Sequence, residues 1–142
     1  MSDFPRTAYD KVCGIVYFAR CLDKIRLHAA GRLPKDYHKN LGAGRDGRCC
    51  RLLGVDYPSL VRRVLEGGSD AEVLEWCFAR GRRPTDEEIE VWNGFMSKRG
   101  WRDEDADSVR RLERLKAEGG LAGRDDILTY FDYYDVDERR RP

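Results

Sequence analysis

The chain has no hydrophobic run approaching the ~20 residues of a membrane helix. It also lacks a stretch of alternating apolar and polar residues long enough to mark a half-buried strand, and no turn signal joins two β-branched runs. Its five cysteines, Cys13, Cys21, Cys49, Cys50 and Cys77, include no Cys-x-x-Cys pair, so a zinc knuckle or thioredoxin-like motif is excluded. An odd count with one adjacent pair is also a poor disulfide framework. There are two histidines, His28 and His38, and neither has a second ligand at metal spacing. Charge of one sign is lacking too: 27 basic and 26 acidic side chains leave a net +1. With no apolar segment after Met1, no secretory leader is read. The expectation is a reduced, cytoplasmic protein whose thiols fill the core, with no metal and no membrane partner.

What is present is helix punctuation. Ser69-Asp70-Ala71-Glu72 is a capping box and Gly81 a stop, which predicts a helix over 70–80. Thr85-Asp86-Glu87-Glu88 opens a second, closed by Gly100. A third runs over about 104–118 to Gly119-Gly120, and Asp56 caps a short one holding Leu60, Val61, Val64 and Leu65. Ile127, Tyr130, Phe131 and Tyr134 keep helical spacing and place a helix from about Asp125. The longest is read from about Ala8 to Ala30. The fold class is all-α: a single compact domain over residues 1–142, about six helices around a central N-terminal helix, with 137–142 as a mobile tail.

That first helix is unusual. Val12, Ile15, Val16, Ala19, Leu22, Leu27 and Ala30 fall on one side, and the helix is apolar nearly all round. Yet Asp23 and Arg26 project from the apolar arc, with Arg20 and Lys24 at its edge. Buried unpaired charge costs several kcal/mol, so these groups need partners. Either acidic residues or carbonyls elsewhere in the fold answer them, or they line a polar pocket. The pocket reading takes Arg20 as the bidentate contact, Lys24 as added charge and Asp23 as the group that orients Arg20.

Residues 31–51 hold six basic and two acidic side chains, together with Tyr37, His38 and Asn40. This stretch follows the first helix directly and can fold back over its end, which adds those three residues to the candidate ligand-binding set. Gly42-Ala43-Gly44-Arg45-Asp46-Gly47 matches GxGxxG but follows a helix and not a strand, so no nucleotide cofactor is expected. A short helix is read at 48–53. Asp103–Asp107 lacks the glycine and glutamate of a calcium loop and reads as helix N-terminal charge. Residues 1–66 carry 13 basic and 7 acidic side chains, and residues 67–142 carry 14 and 19. Arg139-Arg140-Arg141 is too small a footprint for nucleic acid at this net charge.

Gly14-Ile15-Val16-Tyr17-Phe18-Ala19-Arg20-Cys21-Leu22-Asp23-Lys24-Ile25-Arg26 resembles the opening G-x-V-x-LAR-x-LDK-x-R of a family of small bacterial proteins, domain-of-unknown-function family 5069. Gly31, Tyr37, Asn40, Leu53-Gly54-Val55, Ser69-Asp70, Trp76, Trp92-Asn93 and Thr129-Tyr130-Phe131-Asp132 extend the resemblance over most of the chain. The Gly-rich stretch 42–47 stands where the family has a proline-containing segment. The resemblance implies a compact helical domain and names no activity.

Three functions follow from the residues. The first is a binding module holding a small anionic molecule or an acidic partner segment. The second is an enzyme using His38 or Asp23 for acid–base chemistry in the same pocket. The third is a structural or interaction protein whose charges only lock the core.

Overall fold

A computed structural model describes residues 3–142. The chain is mostly helical, with 59% of the described residues in helices. It gathers into two compact units, one up to Glu90 and one from Val91 onward.

The first unit opens with a small hairpin. Strands β1 (Lys11–Val12) and β2 (Ile15–Val16) pair antiparallel, with Lys11 opposite Val16 and Val12 opposite Ile15. Cys13 and Gly14 make the turn with φ of 49° and 84°, the left-handed pair a tight hairpin requires. This corrects the long first helix: α1 spans Phe18–Ala29 and starts ten residues later than its spacing suggested. Val12, Ile15, Val16 and Ala19 satisfy helical spacing by coincidence. Over two-residue strands, the periods of 2 and 3.6 are not separable.

From Phe18 to Ile25, α1 is buried except at Asp23, and within the helix only His28 and Ala29 are exposed. It packs on α3 (Tyr57–Leu65) and on the hairpin. Helix α4 (Asp70–Arg80) packs on α3 and on β1, and α2 (Gly44–Leu53) packs on α3. Ile15, Phe18, Leu22, Leu53, Leu60, Val73 and Leu74 form this core. A 3-10 turn over Lys35–Asn40 joins α1 to α2. Helix α2 begins four residues before the predicted 48, which takes Asp46 out of the loop and into the helix's first turn.

The caps behave as their chemistry requires. Ser69 and Glu72 close a complete capping box on α4. Asp56 accepts from the Ser59 amide at 2.9 Å. Thr85 and Glu88 exchange bonds of 2.9 and 3.1 Å at the start of α5 (Asp86–Lys98).

In the second unit, α6 (Ala106–Glu118) packs on α7 (Tyr130–Asp137) around Met96, Leu112, Ile127 and Phe131. Helix α7 starts five residues after the predicted Asp125, because the Thr129 hydroxyl caps the Asp132 amide at 3.1 Å. Asp103 accepts from the Gly100 amide and the Ser108 hydroxyl, and Asp105 caps α6. The acidic run is therefore helix-terminal charge, as its composition implies. Near the chain's end, Arg141 pairs with Asp126 and Asp132, both at 3.2 Å.

Candidate functional site

The ionic side chains of α1 meet two sets of partners. Lys24 points inward, its Nζ 3.0 Å from Asp46 Oδ2 and 3.1 Å from Oδ1, and both side chains are shut off from solvent. The Tyr17 hydroxyl donates to Asp46 Oδ1 at 2.7 Å, and the Gly42 amide donates to Oδ2 at 3.1 Å. The carboxylate is thus met by α1, by the residue that caps α1, and by the turn before α2. A buried ion pair is tolerated when its remaining lone pairs are filled in this way. Tyr17 reaches the site from a left-handed backbone, φ 75°, at the start of α1.

The second set is an alternating ring of charge. Arg6 holds Asp23 with two guanidinium bonds, 2.9 and 3.0 Å, and with its own amide at 2.9 Å. It reaches Asp70 at 2.6 Å. Arg26 bonds Asp70 at 2.8 Å and approaches Asp23 at 3.5 Å. Burial would raise the Asp70 carboxyl, but its hydrogen bonds from Arg6 and Arg26 outweigh burial and hold it below its ordinary value. Hydrogen bonding to Asp23 raises the Arg6 guanidinium above its own. Arg20 is also buried, and its Nη1 donates to the Arg6 carbonyl at 3.1 Å. The ring ties the segment before the hairpin to α1 and to the first turn of α4.

The candidate residues therefore separate. Arg20, Asp23 and Lys24 are engaged from within the fold. Tyr37 is half-buried and stacks on Phe4. His38 is exposed, donates from Nε2 to the Leu33 carbonyl at 2.9 Å, and meets His28 edge-on at 4.6 Å between ring centres. Asn40 is exposed, and its carbonyl accepts from the Ala43 amide at 3.1 Å. Asp23 is held by two guanidinium groups, and the exposed His38 has its Nε2 committed to the Leu33 carbonyl.

The thiols of Cys49, Cys50 and Cys77 are core groups. Burial pushes Cys50 up to about 11 and Cys77 up to about 12, and it carries Cys49 well above its usual value. Loss of water around the sulfur is the leading cause for all three. Gly42 also has a structural duty. Its φ is +74°, and a Cβ there would stand 2.7 Å from the Tyr57 ring. The first glycine of the GxGxxG match thus makes room for an aromatic ring.

Sequence reasoning misses Arg6, Tyr17, Asp46 and Asp70 as the partners of α1. In sequence Asp46 belongs to a loop, and only its capture in the first turn of α2 turns it inward. That capture changes the surface left behind. Between His28 and Arg51, the side chains of Arg32, Lys35, Lys39, Arg48 and Arg51 are exposed, while Asp36 is the one exposed carboxylate. Arg32 pairs with Asp3 at 2.6 Å.

A family model described as Domain of unknown function (DUF5069) matches residues 2–140. No curated protein matches the chain. No helix among the described residues is long and apolar enough to cross a membrane.

Proposed function

The chain belongs to the DUF5069 family, and we propose that it is a small binding module that holds an anionic molecule or the acidic segment of a partner. In this reading the contact face is made by the exposed side chains between His28 and Arg51. Tyr37, His38 and Asn40 supply polar contacts there, beside Lys35, Lys39 and Arg48. Arg20, Asp23 and Lys24 act one step back, by fixing α1 against α2 and α4.

The observation that supports this most is the burial of Asp46. It removes one of the two carboxylates of the 31–51 stretch from the surface and leaves Lys35, Lys39, Arg48 and Arg51 exposed there against Asp36, beside an Arg32 that Asp3 already pairs. Such a face attracts anions, with a strength that falls as salt rises. The enzyme alternative finds no support in the surroundings of Asp23 and His38.

The test uses inorganic pyrophosphate, citrate and a hexaglutamate peptide as probes, titrated calorimetrically at low and physiological salt. At least one probe is expected to bind, and the charge reversal K35E/K39E/R48E is expected to abolish that binding without unfolding the protein. If no probe binds at millimolar concentration, or if the reversed variant binds equally well, the reading fails.

A further inference from the structure

The second unit carries a shallow groove lined by Phe95, Lys98, Trp101, Arg102 and Asp103. Large apolar side chains stand in the open beside it: Phe95 is 40% exposed, Trp101 45% and Val91 65%. Val91, Phe95 and Lys98 are spaced i, i+4, i+7 and share one face of α5. Trp101 and Arg102 follow on a turn that is pinned from beneath. Gly100 has φ +100°, and a Cβ there would lie 2.7 Å from Leu112 and 3.0 Å from Tyr130. Arg102 itself holds a left-handed φ of 54°. The turn thus presents a tryptophan and an arginine outward from a backbone fixed on the core.

Within the groove lining the exposed charge is basic, while the exposed carboxylates of Glu104, Asp105 and Asp107 lie outside it. Its single carboxylate, Asp103, is occupied by the Gly100 amide at 2.7 Å, the Ser108 hydroxyl at 2.6 Å and Arg99 at 3.7 Å. Lys98 and Arg102 are exposed, and the Arg102 guanidinium lies 5.5 Å from the Trp101 ring centre. The rim therefore offers two cations around an aromatic floor. Trp and Arg are also the residue types that most often carry binding energy at protein interfaces.

We propose that this groove docks a short acidic peptide segment of a partner protein, anchored by an aromatic or branched aliphatic side chain. The anchor lies on Phe95 and Trp101, and flanking carboxylates meet Lys98 and Arg102. A single-stranded nucleic acid also stacks on aromatic rings. Its continuous phosphates, however, would run into Glu104, Asp105 and Asp107, which are exposed at the adjoining start of α6. A few local carboxylates avoid that repulsion where a polyanion does not. This proposal is independent of the basic face of the first unit.

Random 12-residue peptides displayed on phage, panned against the full chain, test it. The enriched peptide is then synthesised with a fluorescent label and titrated by anisotropy. Enrichment of Asp or Glu around Trp, Phe, Leu or Ile is expected, with binding weakened about tenfold or more by Trp101→Ala. The double reversal K98E/R102E is expected to lose the acidic peptide and to gain a version carrying Lys in place of its acids. All the substituted side chains are exposed, and thermal unfolding within a few degrees of the wild type confirms that the variants fold. Three results overturn the proposal: no enriched peptide that depends on Trp101, tighter Trp101-dependent binding of a decathymidine oligonucleotide, or a wild-type dimer that W101A converts to monomer.

Discussion

Lys24 of α1 and Asp46 of α2 form an ion pair of 3.0 Å with both side chains removed from solvent. The pair explains how a charged residue sits on a helix whose other inward groups include Phe18, Leu22 and Ile25. It also sets the character of the exposed stretch between the two helices, because the carboxylate that would have balanced that stretch is turned inward.

Breaking the pair from either side leaves an uncompensated buried charge. Lys24→Met and Asp46→Asn should each destabilise the protein by about 3–5 kcal/mol. Urea unfolding followed by circular dichroism measures this. Tyr17→Phe removes only the hydroxyl donor and should cost about 1–2 kcal/mol.

The ring of Arg6, Asp23, Arg26 and Asp70 is partly open to water, so each member matters less. Arg6→Ala should cost about 1 kcal/mol or somewhat more. Asp23→Asn should cost a similar amount, and the double variant should cost less than the sum, because the two residues share their bonds. Denaturant midpoints of the three proteins check the shortfall.

Stability should fall at both ends of the pH scale. Asp70 lies below its ordinary value of 3.8, where arginine hydrogen bonds overcome burial. Glu72 and Glu88 lie below 4.5, chiefly through the backbone amides of Ser69 and Thr85. Carboxyls depressed in the folded state contribute stability that is present above the unfolded values and lost as pH falls through the folded ones. The acid loss therefore begins near pH 4.5 and deepens below it. The buried thiols act in the opposite direction. Cys50 is raised from 9.0 to about 11, so its contribution is whole below pH 9 and lost as pH rises toward 11. Thermal melts across the range from acid to alkali should show a plateau between these limits, and Cys50→Ala should flatten the alkaline limb.

Two glycines with positive φ separate packing from backbone freedom. Gly14→Ala meets nothing within 4 Å and carries only the left-handed penalty, about 1 kcal/mol. Gly42→Ala carries the same penalty and also drives its Cβ to 2.7 Å from Tyr57. It should cost at least about 1 kcal/mol more than Gly14→Ala. Side-by-side thermal unfolding of the two variants tests the difference.

The helices legible in the sequence are those that carry their own punctuation. Ser69 with Glu72, Thr85 with Glu88, and Asp56 each satisfy amides of a first helical turn, so residue type alone marks the boundary. The start of α7 is harder to read because Ile127 is buried, as a helical residue would be, while lying before the Thr129 cap. The hairpin is hidden because Val12, Ile15 and Val16 fit either period. The need for partners on α1 is readable from Arg20, Asp23 and Lys24, but their identity is not. Arg6 is 17 residues from Asp23, and Asp46 is 22 from Lys24. No local pattern links residues so far apart.

The charges of α1 are answered inside the fold, and a double-mutant cycle on Lys24 and Asp46 measures that answer as a coupling energy. K24M, D46L and the double variant are compared with the wild type by urea unfolding. The prediction is a coupling of about 2 kcal/mol or more, with the double variant more stable than either single. Additive losses with no coupling would contradict it.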